Sequence, residues 1–116
     1  MYKERRVDQR IPVELSITQF VDDRPFPCLA SDLSLSGLQA NRLLAPLARS
    51  SRFIQLEIPL PGLDDPLWAS AEVVYDALNP FFHSSGVHFL NMAAPHRLIL
   101  NEWLRRANSD LMVFAP

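Results

Sequence analysis

The chain has a single cysteine, Cys28, and only three glycines among 116 residues. One thiol cannot form an internal disulfide, which excludes a disulfide-stapled fold and fits a reducing compartment. Set in an apolar segment, Cys28 reads as a small core residue. Excess charge of one sign is also missing. A formal net charge of -2 argues against a general binder of nucleic-acid polymers, which carries a basic face. No apolar run approaches a membrane span, and the charged opening residues precede no apolar stretch or cleavage site. The expectation is a soluble, cytoplasmic chain with no membrane insertion. Internal repeats and low-complexity tracts are absent.

Catalytic patterns are equally scarce. His83, His88 and His96 accompany no Gly-x-Ser-x-Gly elbow, and no nucleophile is singled out. His83 and His88 lie five apart, which matches neither zinc-finger nor HExxH spacing, so they read as surface or strand histidines. The Asp64-Asp65 pair sits in a Pro/Gly-rich turn and reads as a solvated loop. Trp68 and Trp103 read as core or helix-packing residues. The expectation is a non-enzyme with no cofactor and no metal.

What the chain does have is nearly half hydrophobic residues, enough for one compact domain with a single modest core. Ile11, Val13, Leu15 and Ile17 alternate with Pro12, Glu14, Ser16 and Thr18, the period of a half-buried strand. The chain reverses near Asp22-Asp23-Arg24-Pro25, Phe26 to Ala30 reads as a second strand, and Gly37 to Asn41 begins a third. Residues 43–51 fit either a short helical turn or a loop. Phe53 to Leu60 alternates cleanly, the turn 59–66 follows, and Leu67 to Asp76 resumes strand character before Asn79-Pro80 breaks it. Ser85 to Asn91 is a last strand. Pro95 then suits a first helical turn, and Leu100, Trp103, Leu104, Ala107 and Leu111 recur at helical spacing, with an end expected at Asn108 to Asp110. Six or so antiparallel strands and one helix suggest a small closed barrel, with the helix over an open end or edge.

Two polar motifs flank the first hairpin. Arg6-Val7-Asp8-Gln9-Arg10 reads as RxxxR, and Asp32-Leu33-Ser34-Leu35-Ser36-Gly37 as DxSxxG. A hairpin closing at Asp22-Asp23 pairs residues whose numbers sum to roughly 44 to 46, which brings Arg10 near Ser34 to Ser36. Arg6 and Arg10 offer charged planar forks for phosphate oxygens or the O6/N7 edge of guanine. Asp32 offers two acceptors side by side, suited to the N1-H and N2-H donors of guanine, while Ser34 donates and accepts. Gly37 permits a tight turn or a close approach to a ligand. Guanine plus phosphate is the chemistry that fits.

At these residues the chain resembles the PilZ domain family of bacterial receptors for cyclic di-GMP. Gly86-Val87-His88-Phe89 looks like that family's late strand. The resemblance implies a mainly β fold, a six-stranded antiparallel barrel with a C-terminal helix, organised as a flexible arm over residues 1–10 and a barrel with helix over 11–116. It implies ligand contacts from Arg6, Arg10, Asp32, Ser34 and Gly37. Arg5, just ahead of the motif, is either solvated or engages a second ligand molecule of an intercalated dimer. The signal would pass to a separate, unidentified protein effector. The alternative is a protein-interaction module on the same barrel that binds no nucleotide, with Arg6 or Arg10 held by Glu4, Asp8 or Asp32. The apolar stretch Leu111 to Phe114 either packs back on the barrel or forms a partner surface.

Overall fold

In the computed structural model, residues 9–43, 52–78 and 82–114 are described. They form β1 (Ile11–Val21), β2 (Arg24–Leu33), β3 (Gly37–Leu43), β4 (Phe53–Ile58), β5 (Leu67–Leu78), β6 (Phe82–Met92) and a helix, α1 (Ala94–Phe114). The strands close into an antiparallel barrel in the order β1-β2-β3-β6-β5-β4. Closure comes from β4 returning to β1, with Thr18 opposite Glu57 and Phe20 opposite Gln55. A closed barrel leaves no unpaired edge, so α1 has an end to cover and not an edge.

The alternating residues of β1 and β4 do what their period implies. Ile11, Leu15, Ile17 and Val21 point inward, as do Ile54, Leu56, Ile58 and the following Leu60. They meet Leu33, Leu38, Leu67, Val73 and Val87 in one contiguous core. Burying each such side chain contributes roughly 1.5–3 kcal/mol.

The β1–β2 hairpin closes through a two-residue loop, with Val21 opposite Arg24. Asp22 and Asp23 have φ of 51° and 67°. That pair of left-handed residues makes a type I′ turn, whose twist matches the flanking strands and which aspartate tolerates. After β4, Leu63 N–H donates to the Leu60 carbonyl. Pro61 and Gly62, the latter at φ 88°, supply the central residues a type II turn requires.

α1 lies over the mouth of the barrel where β1 and β5 begin. Leu100 and Leu104 are buried there. The Trp103 indole N–H donates to the Pro61 carbonyl at 3.3 Å, and His96 Nδ1 accepts the Trp68 backbone N–H at 3.1 Å. The helix runs on to Phe114, past the expected end at Asn108 to Asp110. Ser109 and Asp110 cost only a few tenths of a kcal/mol as helix formers, about as little as any non-breaker, and no Gly or Pro follows until Pro116. The side chains of Leu111 to Phe114 lie outside the described residues, as do residues 44–51 and the Asn79-Pro80 break.

Trp68 corrects a second expectation. It sits on the outer face, 42% exposed, with its ring 5.7 Å from that of Phe20. Leu67 and Ala69 are the inward residues of this strand, and a period of two sends Trp68 outward.

Candidate functional site

The hairpin register brings the two motifs together. Ile11 pairs with Leu33 and Pro12 with Asp32, before a bulge shifts the ladder so that Leu15 pairs with Ala30. Arg10 therefore emerges beside β2, and its Nη1 donates to Asp32 Oδ1 at 2.7 Å. The two side chains are 55% and 28% exposed. An ion pair this open to water is worth at most about 1 kcal/mol. Arg5 and Arg6 lie outside the described residues.

Ser34 occupies a different position from Arg10 and Asp32. It is fully buried, and its Oγ accepts the backbone N–H groups of Ser36 and Gly37 at 3.2 Å each. The same hydroxyl donates to the Gly37 carbonyl at 3.2 Å, while Ser34 N–H donates to that carbonyl at 2.9 Å. One donor and two acceptors exhaust a hydroxyl. Ser34 thus shapes the turn that follows Asp32.

Gly37 is required by close packing. A Cβ there would overlap the Val87 carbonyl oxygen on β6, and its φ is not in the left-handed region. What Gly37 approaches is the backbone of β6. The Phe89 N–H donates to the Ser36 carbonyl at 2.7 Å, so the DxSxxG turn is fastened to β6 from both sides.

The intervening positions of both motifs face α1. Gln9 Nε2 donates to Asn108 Oδ1 at 3.1 Å. A cleft of about 130 Å³ runs between them, lined by Gln9, Ile11, Leu35, Leu104, Arg105 and Asn108. Both motifs therefore border the same helix.

Sequence reasoning missed a polar chain inside the barrel toward the other mouth. Arg42 is buried on β3, opposite the buried His83 on β6. Arg42 Nη2 lies 2.8 Å from His83 Nδ1. A guanidinium only donates, so Nδ1 accepts, and the ring proton sits on Nε2, which donates to Asp76 Oδ1 at 2.7 Å. Ser85 Oγ donates to the same oxygen at 2.7 Å. His83 is thus an interior residue and not a surface one. The signal available was parity: His83, Ser85, Val87 and Phe89 share one face of β6. Cys28 lies at the same level, and burial pushes its thiol up to about 11, partly opposed by Arg42. Among the described residues, no group of three or more His, Cys, Asp or Glu could hold a metal ion. No helix there is long and apolar enough to cross a membrane.

A family model described as PilZ domain matches residues 4–106. A search of curated proteins finds no match to the sequence. Among solved structures, the chain is similar to the Bacillus subtilis inhibitor of motility MotI/DgrA, with TM-score 0.76 and 16% identity over 89% of this chain and 51% of that one. It is similar to the PilZ domain of Escherichia coli YcgR with c-di-GMP, with TM-score 0.68 and 17% identity over 92% and 94%. A longer YcgR structure, also in complex with c-di-GMP, gives TM-score 0.71 and 23% identity over 93% and 48%. The chain spans about half the length of MotI and of the longer YcgR chain.

Proposed function

Because this chain belongs to the PilZ domain family, we propose that it is a non-enzymatic receptor for cyclic di-GMP. The observation that carries this reading is the meeting of Arg10 and Asp32 at 2.7 Å across β1 and β2. A cation fork and a carboxylate share one partly open site, the complement of a ligand with both phosphate oxygens and guanine N–H donors. The titles of the YcgR structures record c-di-GMP with that protein, and the shared fold supports the same ligand class here.

In this reading the ligand exchanges partners with the Arg10–Asp32 pair. Guanine N1-H and N2-H take the Asp32 carboxylate, and Arg10 turns to phosphate or to the guanine O6/N7 edge. Arg5 and Arg6 close over the dinucleotide from the other side, and the entropy cost of ordering residues 1–10 is offset by charge-assisted hydrogen bonds. Ser34 and Gly37 contribute by shaping the turn that presents Asp32. The new position of the arm is the output, read by a separate protein partner.

Calorimetric titration with cyclic di-GMP, with GTP as the control ligand, tests the proposal. Selective binding that is lost in both Arg10→Ala and Asp32→Ala supports it. A folded protein that gives neither heat nor thermal shift overturns it in favour of a nucleotide-independent interaction module, in which the Arg10–Asp32 pair is simply structural. Stoichiometry of the parent and of Arg5→Leu decides whether a ligand dimer is bound: one-to-one binding in both removes the dimer.

A further inference from the structure

On the outer face of the barrel, the ladders line up one row that starts at the motif. Asp32 pairs with Gln39, Gln39 with Gly86, and Gly86 with Tyr75. At about 4.8 Å per strand, Tyr75 begins some 14 Å from Asp32. Its ring then folds back over Gly86, where any Cβ would overlap the Tyr75 ring atoms. The phenol O–H donates to Gln39 Oε1, and Gln39 Nε2 donates to Ser84 Oγ.

This arrangement is built. A β-bulge between Val73 and Tyr75 leaves both Val74 and Tyr75 outward, 57% and 52% exposed. Such bulges re-aim a side chain. Asp76, the next residue, is held by His83 and Ser85, which anchors the strand directly behind the ring. The Ser84 bond sets which way the Gln39 amide faces and leaves its carbonyl oxygen to hold the phenol. The ring is fixed before any ligand arrives, so little rotamer entropy is lost on binding.

We infer that Tyr75, seated over Gly86 and tied to Gln39, is the stacking surface for a purine base of the ligand, on the same outer row as the Arg10–Asp32 pair. The inference rests on the receptor reading above and extends it from the two motifs to a third strand. An exposed aromatic ring matches the π-face of a base without requiring a hydrogen-bond code. Gln39 and Asp32 lie between the ring and Arg10, so polar groups meet the base edge and sugar while the ring meets the face. Gly86 is the residue that makes room.

The test is calorimetric titration of the full chain with cyclic di-GMP, beside one-dimensional proton NMR of the bound ligand. Tyr75→Ala is expected to weaken binding about ten- to a hundredfold, the range of a lost base stack. Tyr75→Phe keeps the ring and is expected to stay within about threefold. Gly86→Ala displaces an exposed ring without touching the core, so it should reproduce the Tyr75→Ala loss while the melting temperature stays near that of the parent. Ring stacking also moves the guanine H8 resonance upfield in the parent and in Tyr75→Phe, and not in Tyr75→Ala. If Arg10→Ala abolishes binding but Tyr75→Ala binds within about twofold of the parent with an unchanged H8 shift, the stacking surface is overturned and the receptor reading stands. If the parent itself does not bind, both fall together.

Discussion

Arg10 and Asp32 hold each other across the first two strands, Nη1 to Oδ1 at 2.7 Å, with both side chains still partly open to water. A pair of this kind keeps a cation and an anion in place at little cost to separate. Any anionic ligand that also donates hydrogen bonds can therefore replace each partner by a better one. Asp32→Asn keeps the shape and removes the charge. Its expected effect on unfolding free energy is within about 0.5 kcal/mol. Cyclic di-GMP affinity should fall at least about tenfold, and what remains should depend more weakly on salt. Urea denaturation and titration at two ionic strengths measure the two halves separately.

Ser34 is expected to matter for the fold. Ser34→Ala leaves the Ser36 and Gly37 N–H groups without the oxygen they share. Loss of a buried acceptor costs about 1–3 kcal/mol. Urea unfolding of the variant checks this, and an unchanged midpoint would mean that the turn holds without the hydroxyl.

Gly37→Ala places a methyl group against the Val87 carbonyl. That contact is backbone to backbone, and neither strand can yield without disturbing the β3–β6 ladder. A loss of about 2 kcal/mol or more is expected by the usual cost of overpacking. Thermal melting reads it directly, and full stability with native binding would show that the strands can part there.

His83 is the acceptor for a buried arginine. Replacing it with leucine removes that acceptor and is expected to cost about 3 kcal/mol. The double change Arg42→Met with His83→Leu should recover much of the loss, because the charge leaves with its partner. A double-mutant cycle by chemical denaturation gives the coupling; strict additivity would show that the two side chains do not act as a pair.

Cys28 supplies a pH test. Burial raises its thiol from 9.0 to about 11, so the unfolded chain releases this proton first. Below pH 9 the thiol is neutral in both states. Above it, the folded state binds the proton that the unfolded state has lost, and stability declines until about pH 11, by on the order of 2–3 kcal/mol from this group. A Cys28→Ala variant should lack that component in denaturation across the same pH range. The native thiol should also resist alkylation at pH 8 until the chain unfolds.

Much of the architecture was legible because its signals are local. The period of two in Ile11 to Ile17 and in Phe53 to Leu60 is imposed by strand geometry, and both segments are strands with the expected inward residues. Asp22-Asp23 announced the reversal, and a two-residue turn then fixed the register that brings Arg10 to Asp32. The errors arose where local cues were weak or outvoted. Ser109-Asp110 resembles a helix stop, yet neither residue breaks a helix. Trp68 is large and apolar, but its position along β5 sends it outside.

The candidate site divides along the same line. Residue types and spacing alone determined the chemistry, because a guanidinium, a carboxylate and a hydroxyl have the same donors and acceptors in any fold. The order of elements and the hairpin register followed from periodicity and turn residues. Which of these groups is free to meet a ligand was decided only in three dimensions. The barrel's closure buries Ser34 in its own turn and sets Gly37 against β6. It also seals Arg42 and His83 inside and lays Tyr75 across Gly86 on the row that begins at Asp32. Those outcomes depend on β3 pairing with β6 and on β5 lying beyond it. They are contacts between residues some 45 positions apart, and no local pattern of hydrophobicity or charge encodes them.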